Sequence, residues 1–198
     1  MLGGAPGIEV AGEVGDGADV ADAVTRLHPD VVLMDIRMPV LDGIDATRAL
    51  RSLGANAPAV IVLTTFDADA NVLESIRAGA AGFLLKHTAP EQIVEAVRRA
   101  ATGEPVLSPS VSRRLMDHVA GHGPAGGSAQ QARGRLARLS DKEREVALAV
   151  AEGWSNAEIA ERLFMSVGTV KAHVSSALTE LDLTNRIQLA LLAHDAAP

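Results

Sequence analysis

Four consecutive apolar residues, Val31 to Met34, end on an acid, Asp35, and are followed by the turn formers Pro39 and Asp42-Gly43. The run is rich in β-branched residues and comes after His28-Pro29-Asp30. It predicts a strand buried on both faces, the kind found in parallel sheets. A carboxylate at the carboxyl end of such a strand points into the crevice where α/β sheets bind their ligands. Taken alone, Asp35 fits equally an acid that solvates a strand end.

The flanking segments repeat the pattern. Ile8–Val14 alternates well enough to be a strand, and Ala18–Leu27 carries Val20, Ala23, Val24 and Leu27 at helical spacing. A helix is predicted from Asp42 to about Leu53, stopped by Gly54, then a strand over Val60–Thr64. Asp67–Ala78 reads as a helix closed by Gly79, and Gly82–Lys86 as a short buried strand. Thr88-Ala-Pro-Glu91 reads as a capping box with proline near the first turn, opening a helix to about Thr102 that Gly103 closes. Alternating strands and helices with short joints mean a parallel sheet covered by helices.

After Glu104 the pattern changes. Ser108–Ala120 reads as an amphipathic helix, and 121–138 as a flexible basic linker rich in glycine. From Leu139 the chain reads as helical throughout. Ser140-Asp-Lys-Glu143 and Ser155-Asn-Ala-Glu158 are capping boxes, Gly153 ends the first helix, and Ser166 caps a third helix, Val167–Leu181. A last helix is predicted from about Asn185 to His194. A short helix, a turn and a longer helix packed on two others form a helix-turn-helix arrangement. The expected organisation is therefore 1–104, an α/β domain; 105–138, a helix and linker; and 139–198, an all-α domain.

Composition excludes several classes. There is no cysteine, hence no disulfide, thiol catalysis or cysteine-bound zinc, which fits a cytoplasmic protein. No apolar run is long enough for a membrane span, and the N-terminus lacks the features of a signal peptide. The six histidines show no metal-ligand spacing. The net charge of −7 is uneven: residues 1–104 hold 8 basic against 15 acidic side chains, 105–138 hold 5 against 1, and 139–198 hold 5 against 9. Nothing in that balance advertises nucleic-acid binding, so such a reading rests on where individual residues sit.

Asp35, Thr64 and Lys86 stand at the ends of three separate predicted strands, which a parallel sheet gathers at one edge. A carboxylate there can attack phosphorus and form an acyl phosphate. An ammonium and a hydroxyl can hold its oxygens. By analogy with other phosphorylated side chains, the product carries about −1.5 to −2 charges, enough to reposition a neighbouring loop.

On these residues the chain resembles the two-component response regulators with a LuxR-type helix-turn-helix output domain, the NarL/FixJ class. The resemblance runs through VVLMDIRMPVLDG at 31–43, VIVLTTF at 60–66, AGAAGFLLK at 78–86 and the stretch 139–186. It implies a flavodoxin-like receiver followed by an all-α DNA-binding domain. It further implies Asp35 as phospho-acceptor from a sensor histidine kinase, Thr64 as the switch hydroxyl, Lys86 as the phosphoryl contact and Phe83 as the aromatic that changes rotamer, although Phe83 also fits plain core. Asp35 and the backbone carbonyl of Arg37 would be ligands to Mg²⁺.

The chain departs from the family at its start. Relatives begin with an apolar strand that ends in two acids and lies second from one edge of a 2-1-3-4-5 sheet. Here that strand, its acidic pair and most of the following helix are absent, and no other acidic pair replaces them. The expectation is a receiver shortened at its N-terminus, with weak or absent Mg²⁺ binding, because Mg²⁺ prefers six oxygen ligands. Met1 falls where a helix should be under way, which favours a reading frame continuing upstream over a degenerate receiver.

In the output half, the resemblance makes Val167–Leu181 the recognition helix. Lys171 would reach bases or phosphates, Ala172 a thymine methyl, and Ser175 a base edge. Asn156, Ser166 and Thr169, at helix starts, are candidate phosphate contacts. His173 fits a phosphate ligand or packing equally, while Val170, Val174, Leu178 and Leu181 read as core. Lys171 is the helix's one fixed positive charge, which predicts modest affinity and a shallow salt dependence. Asp182 stands where a glycine is common, in a left-handed position that Asp tolerates. Arg133, Arg135 and Arg138 read as a solvated tether more than as DNA contacts. A homodimer is expected, with Ile187, Leu191 and His194 as its surface or as core of the small bundle. Two other functions compete. One is a DNA-binding regulator that works without phosphorylation. The other is a haloacid-dehalogenase-type phosphohydrolase, which needs an acid where Arg37 stands.

Overall fold

The structure is a computed structural model that describes residues 2–65, 69–107 and 126–196. The chain divides into two compact units between residues 115 and 116.

In the first unit, strands β1 (Val31–Asp35), β2 (Ala59–Thr64), β3 (Gly82–Leu85) and β4 (Val106–Leu107) form one parallel sheet in that order. Helices α1 (Val20–Leu27), α2 (Gly43–Leu50), α3 (Asp69–Ala78) and α4 (Pro90–Ala101) alternate with them. β2 is the central apolar run: Ile61 packs with Leu84, Ile93, Ala96, Ala100 and Val106, and the fully buried Val62 alternates onto the other face. The register sets Asp35 opposite Leu63 and Thr64 opposite Leu85, so the polar residues emerge together where the strands end.

Several expectations are corrected. Ile8–Val14 forms no strand, and Val10 and Val14 are exposed. Alternation makes a segment compatible with a strand, but pairing makes it one, and among the described residues no strand lies beyond β1 on that side. α2 stops at Leu50, and a 3₁₀ turn, Arg51–Asn56, breaks at Gly54, whose φ of 58° no ordinary residue favours. The Thr88 capping box does not form. Ala89 is the N-cap, and Pro90, with its fixed φ and no N–H to satisfy, starts α4 unaided. The helix expected at 108–120 and the linker residues 121–125 lie outside the described residues.

The second unit contains α5 (Gly126–Leu136), α6 (Asp141–Ala151), α7 (Asn156–Arg162), α8 (Val167–Glu180) and α9 (Arg186–Asp195). Here the expected flexible linker is corrected: 126–136 is helix. Ala132 and Leu136, four residues apart, are buried, and that burial offsets the poor helix propensity of its glycines. Both capping boxes of the last sixty residues form, at Ser140 and Ser155, each with its Glu reaching back to the N-cap amide. Val146, Ala147, Ile159, Val170, Ala177, Leu181 and Leu189 are the core they enclose. No helix among the described residues is long and apolar enough to cross a membrane.

Candidate phosphoacceptor pocket and nucleic-acid interface

Asp35 is half-exposed at the end of β1. Its Oδ2 accepts a hydrogen bond from Lys86 Nζ at 2.5 Å, and its Oδ1 accepts the Arg37 N–H at 3.2 Å. The two ends of the sheet edge are thus joined across fifty residues of sequence, as expected. Thr64 is buried beside them, but its hydroxyl donates to the Thr65 carbonyl at 2.9 Å rather than to either charged group. The Lys86 N–H bonds the Thr64 carbonyl at 2.9 Å, which fixes the spacing of the two strand ends. Phe83 is fully buried, opposite Val62 on β2.

The loop after Asp35 is held by a residue that the sequence reading passed over. The Asp16 carboxylate accepts three backbone N–H bonds, from Ala18 (3.0 Å), Val40 (2.9 Å) and Leu41 (3.1 Å). Those amides, Ala18 first, hold its pKa below the ordinary carboxylate value. Backbones approach closely here. A Cβ on Gly17 would lie 2.2 Å from the Leu41 carbonyl oxygen, and one on Gly43 would lie 2.0 Å from that of Asp35. Asp16-Gly17 signals a local turn, but two of its three partners lie far along the chain, beyond any local pattern. Asp42 completes the loop by capping α2 through the Ile44 and Asp45 amides.

The donor set does not fit Mg²⁺. Among the described residues no three acidic or histidine side chains cluster. Asp35 already bonds Lys86, and Asp16 already bonds three amides. One carboxylate and the Arg37 carbonyl fall well short of octahedral oxygen coordination.

In the helical unit, α8 has two faces. Val170, Val174 and Ala177 are buried, while Ser166, Thr169, Lys171, Ala172 and Ser175 are exposed, and His173 is half-buried. Ser166 caps α8 through the Thr169 amide at 3.0 Å and also bonds the Thr169 hydroxyl at 2.8 Å. Glu143 ties the first capping box to this helix by accepting the Ser176 hydroxyl at 2.5 Å. The Ser140 hydroxyl, then the Ser176 hydroxyl, lower the Glu143 pKa to about 2.

Asn156 belongs elsewhere than expected. Its side chain is buried and accepts from Arg186, whose second nitrogen donates to the Trp154 carbonyl. It joins α7 to the start of α9 instead of facing a phosphate. Arg162 covers the Trp154 ring at 3.9 Å. Ile187 is buried, while of the rest of the expected dimer surface Leu191 is half-buried and His194 exposed. Asp182 does take the left-handed conformation, with φ of 49°.

The three linker arginines are neither tether nor free. Arg133 Nε donates to the Ala196 carbonyl at 3.0 Å, at the end of α9. Arg135 donates to the Leu181 carbonyl, and Arg138 to the Glu180 carbonyl at 2.6 Å and to its carboxylate, all at the end of α8. A helix ends with carbonyls that lack intrahelical partners, so cations gather there.

Comparison with known proteins agrees with both units. Residues 1–98 match the response regulator receiver domain, and residues 137–193 match the luxR family of bacterial regulatory proteins. The chain is 38% identical to the transcriptional regulatory protein LiaR of Bacillus subtilis, over 96% of this chain and 86% of that one. It is 37% identical to the nitrate/nitrite response regulator protein NarP of Escherichia coli, over 94% and 83%. A crystal structure of a LuxR-family two-component response regulator from Aurantimonas sp. SI85-9A1 superposes with a TM-score of 0.53 at 28% identity, covering 57% of this chain and 80% of that one. With a receiver sheet that carries Asp35 and Lys86 at its edge and a helical unit of luxR type, the chain belongs to the two-component response regulators, DNA-binding regulators of transcription.

Proposed function

We propose that this chain regulates transcription by placing α8 in the major groove of duplex DNA, with Lys171, Ala172 and Ser175 facing the bases and Ser166 and Thr169 facing phosphates. The observation that carries this reading is the division of α8 into a buried apolar face and an exposed face of small and polar residues around Lys171. Small side chains let the helix backbone approach base edges, and Lys171 supplies the one fixed charge. Affinity measured against salt concentration tests it. Lys171→Ala weakens binding and lowers the logarithmic salt slope by about one, the signature of one lost phosphate contact. Unchanged binding refutes it.

Asp35 is the proposed phospho-acceptor, with a sensor histidine kinase as donor, Lys86 as the phosphoryl contact, Thr64 as the switch hydroxyl and Phe83 as the responding aromatic. With the donor set described above, Mg²⁺ binds weakly and phosphorylation is poor. Incubation with acetyl phosphate and Mg²⁺ leaves Asp35 largely unmodified by intact mass; stoichiometric acyl phosphate contradicts this. The same donor set favours a second reading, in which DNA binding is independent of phosphorylation. Asp35→Asn with unchanged DNA affinity supports it. We also place the protein in the cytoplasm as a homodimer without enzymatic activity, its dimer surface including Leu191 and His194.

A further inference from the structure

We infer that Arg135 and Arg138 are positioning residues for DNA recognition, which fix the far end of α8 from inside the protein and do not touch DNA. The inference rests on α8 being the DNA-facing helix.

The basic stretch before a DNA-binding domain invites a reading as phosphate contacts, but its charges are already committed. Arg135 bonds the carbonyl of Leu181, the residue that terminates α8. Arg138 forks onto Glu180, its Nη2 taking the main-chain carbonyl at 2.6 Å and, with Nε, the carboxylate at 3.1 and 3.2 Å. Arg133 does the same for the end of α9 at Ala196. These side chains are not adrift on a loop. They project from or directly follow α5, which Leu136 anchors in the core of the unit. Two cations on α5 and one just past its end meet the carbonyl ends of two helices, where the helix dipole favours positive charge.

The consequence for recognition is geometric. A helix in the major groove reads base edges only at a fixed tilt and depth. α8 is held by its buried face, at its middle by the Ser176–Glu143 bond, and at its end by Arg135 and Arg138. With a single lysine on the helix, little phosphate attraction is available to compensate for a misplaced axis. The output module therefore begins near residue 126, and what precedes Leu139 is part of the recognition apparatus.

The salt dependence of binding separates positioning from contact. The full-length protein is titrated onto a duplex that the wild type selects from a random-sequence pool, at several salt concentrations. The double variant Arg135→Gln, Arg138→Gln is expected to bind about tenfold more weakly, the scale of lost charge-assisted hydrogen bonds, with a salt slope equal to wild type. A slope lowered by about one per arginine would make them phosphate contacts and overturn the proposal. Wild-type affinity would overturn it too. Should the double variant fail to fold by circular dichroism, Arg138→Lys decides. It keeps the charge but cannot fork onto carbonyl and carboxylate together, so positioning predicts about threefold weaker binding, and phosphate contact predicts none. Lys171→Ala is read alongside. If it has no effect, the assignment of α8 fails; if it acts as expected and the arginine variants bind as wild type, only the clamp fails.

Discussion

The two units specify their structures in different ways. In the helical unit α6, α7, α8 and α9 each begin on a Ser or Asn whose side chain accepts the amide three residues on. In the sheet unit α2 starts on a capping Asp while α1 and α4 start without a side-chain cap, and the shape of the Asp35 loop depends on Asp16, whose partners Val40 and Leu41 are distant in sequence. The helical unit is thus assembled from signals a few residues long, and the sheet unit from agreements between segments far apart. The first kind is complete within one helix turn, and the second needs a distant partner: Ile8–Val14 alternates like a strand and pairs with none among the described residues.

The strongest way to break this comparison is to empty one core and watch the other. Ile61 in β2 and Ile159 in α7 are both fully buried. Ile61→Ala and Ile159→Ala are each expected to cost about 2–5 kcal/mol in their own unit. Scanning calorimetry should show two transitions, with Ile159→Ala lowering one and Ile61→Ala the other. A single transition moved alike by both would mean the units do not fold independently.

Next in size is Arg186. Replacing this buried side chain with methionine keeps its bulk but removes the donors to the Asn156 amide oxygen and the Trp154 carbonyl. The expected loss is about 1–3 kcal/mol, read from urea unfolding of the helical unit. A loss below that range would mean water or other groups replace the guanidinium.

The acid response is smaller and sharpens the comparison. Glu143 is lowered to about 2 in the folded protein against an ordinary 4.5. A depressed carboxylate stabilises fully above its unfolded pKa, and that contribution is lost as pH falls from 4.5 toward 2. The melting temperature of the helical transition should fall across that window, and Glu143→Gln should flatten the fall. An equal slope in the variant would assign the acid sensitivity elsewhere. Asp16 acts with the same sign on the sheet unit.

The smallest effect is a gain. A Cβ on Gly134, inside α5, would meet nothing within 4 Å. Gly134→Ala should stabilise the helical unit by about 0.5–1 kcal/mol. A loss would mean that α5 is not a helix in solution.

The same contrast explains what was legible in the sequence. Apolar runs ending on Asp35 and Lys86 placed two strand ends in one pocket, because strand periodicity and parallel order suffice for that. The helix-turn-helix followed from its caps. Asn156 was misplaced because a polar residue at a helix start looks the same whether it faces solvent or Arg186. The 126–136 helix was missed because its glycines and arginines read as loop; it packs against α9, which lies outside that window. Asp16 was passed over for the same reason.

The outer side of β1 has a further implication. Among the described residues no strand borders Val31–Asp35 on that side, which leaves a row of amides and carbonyls as a template for strand addition from another molecule.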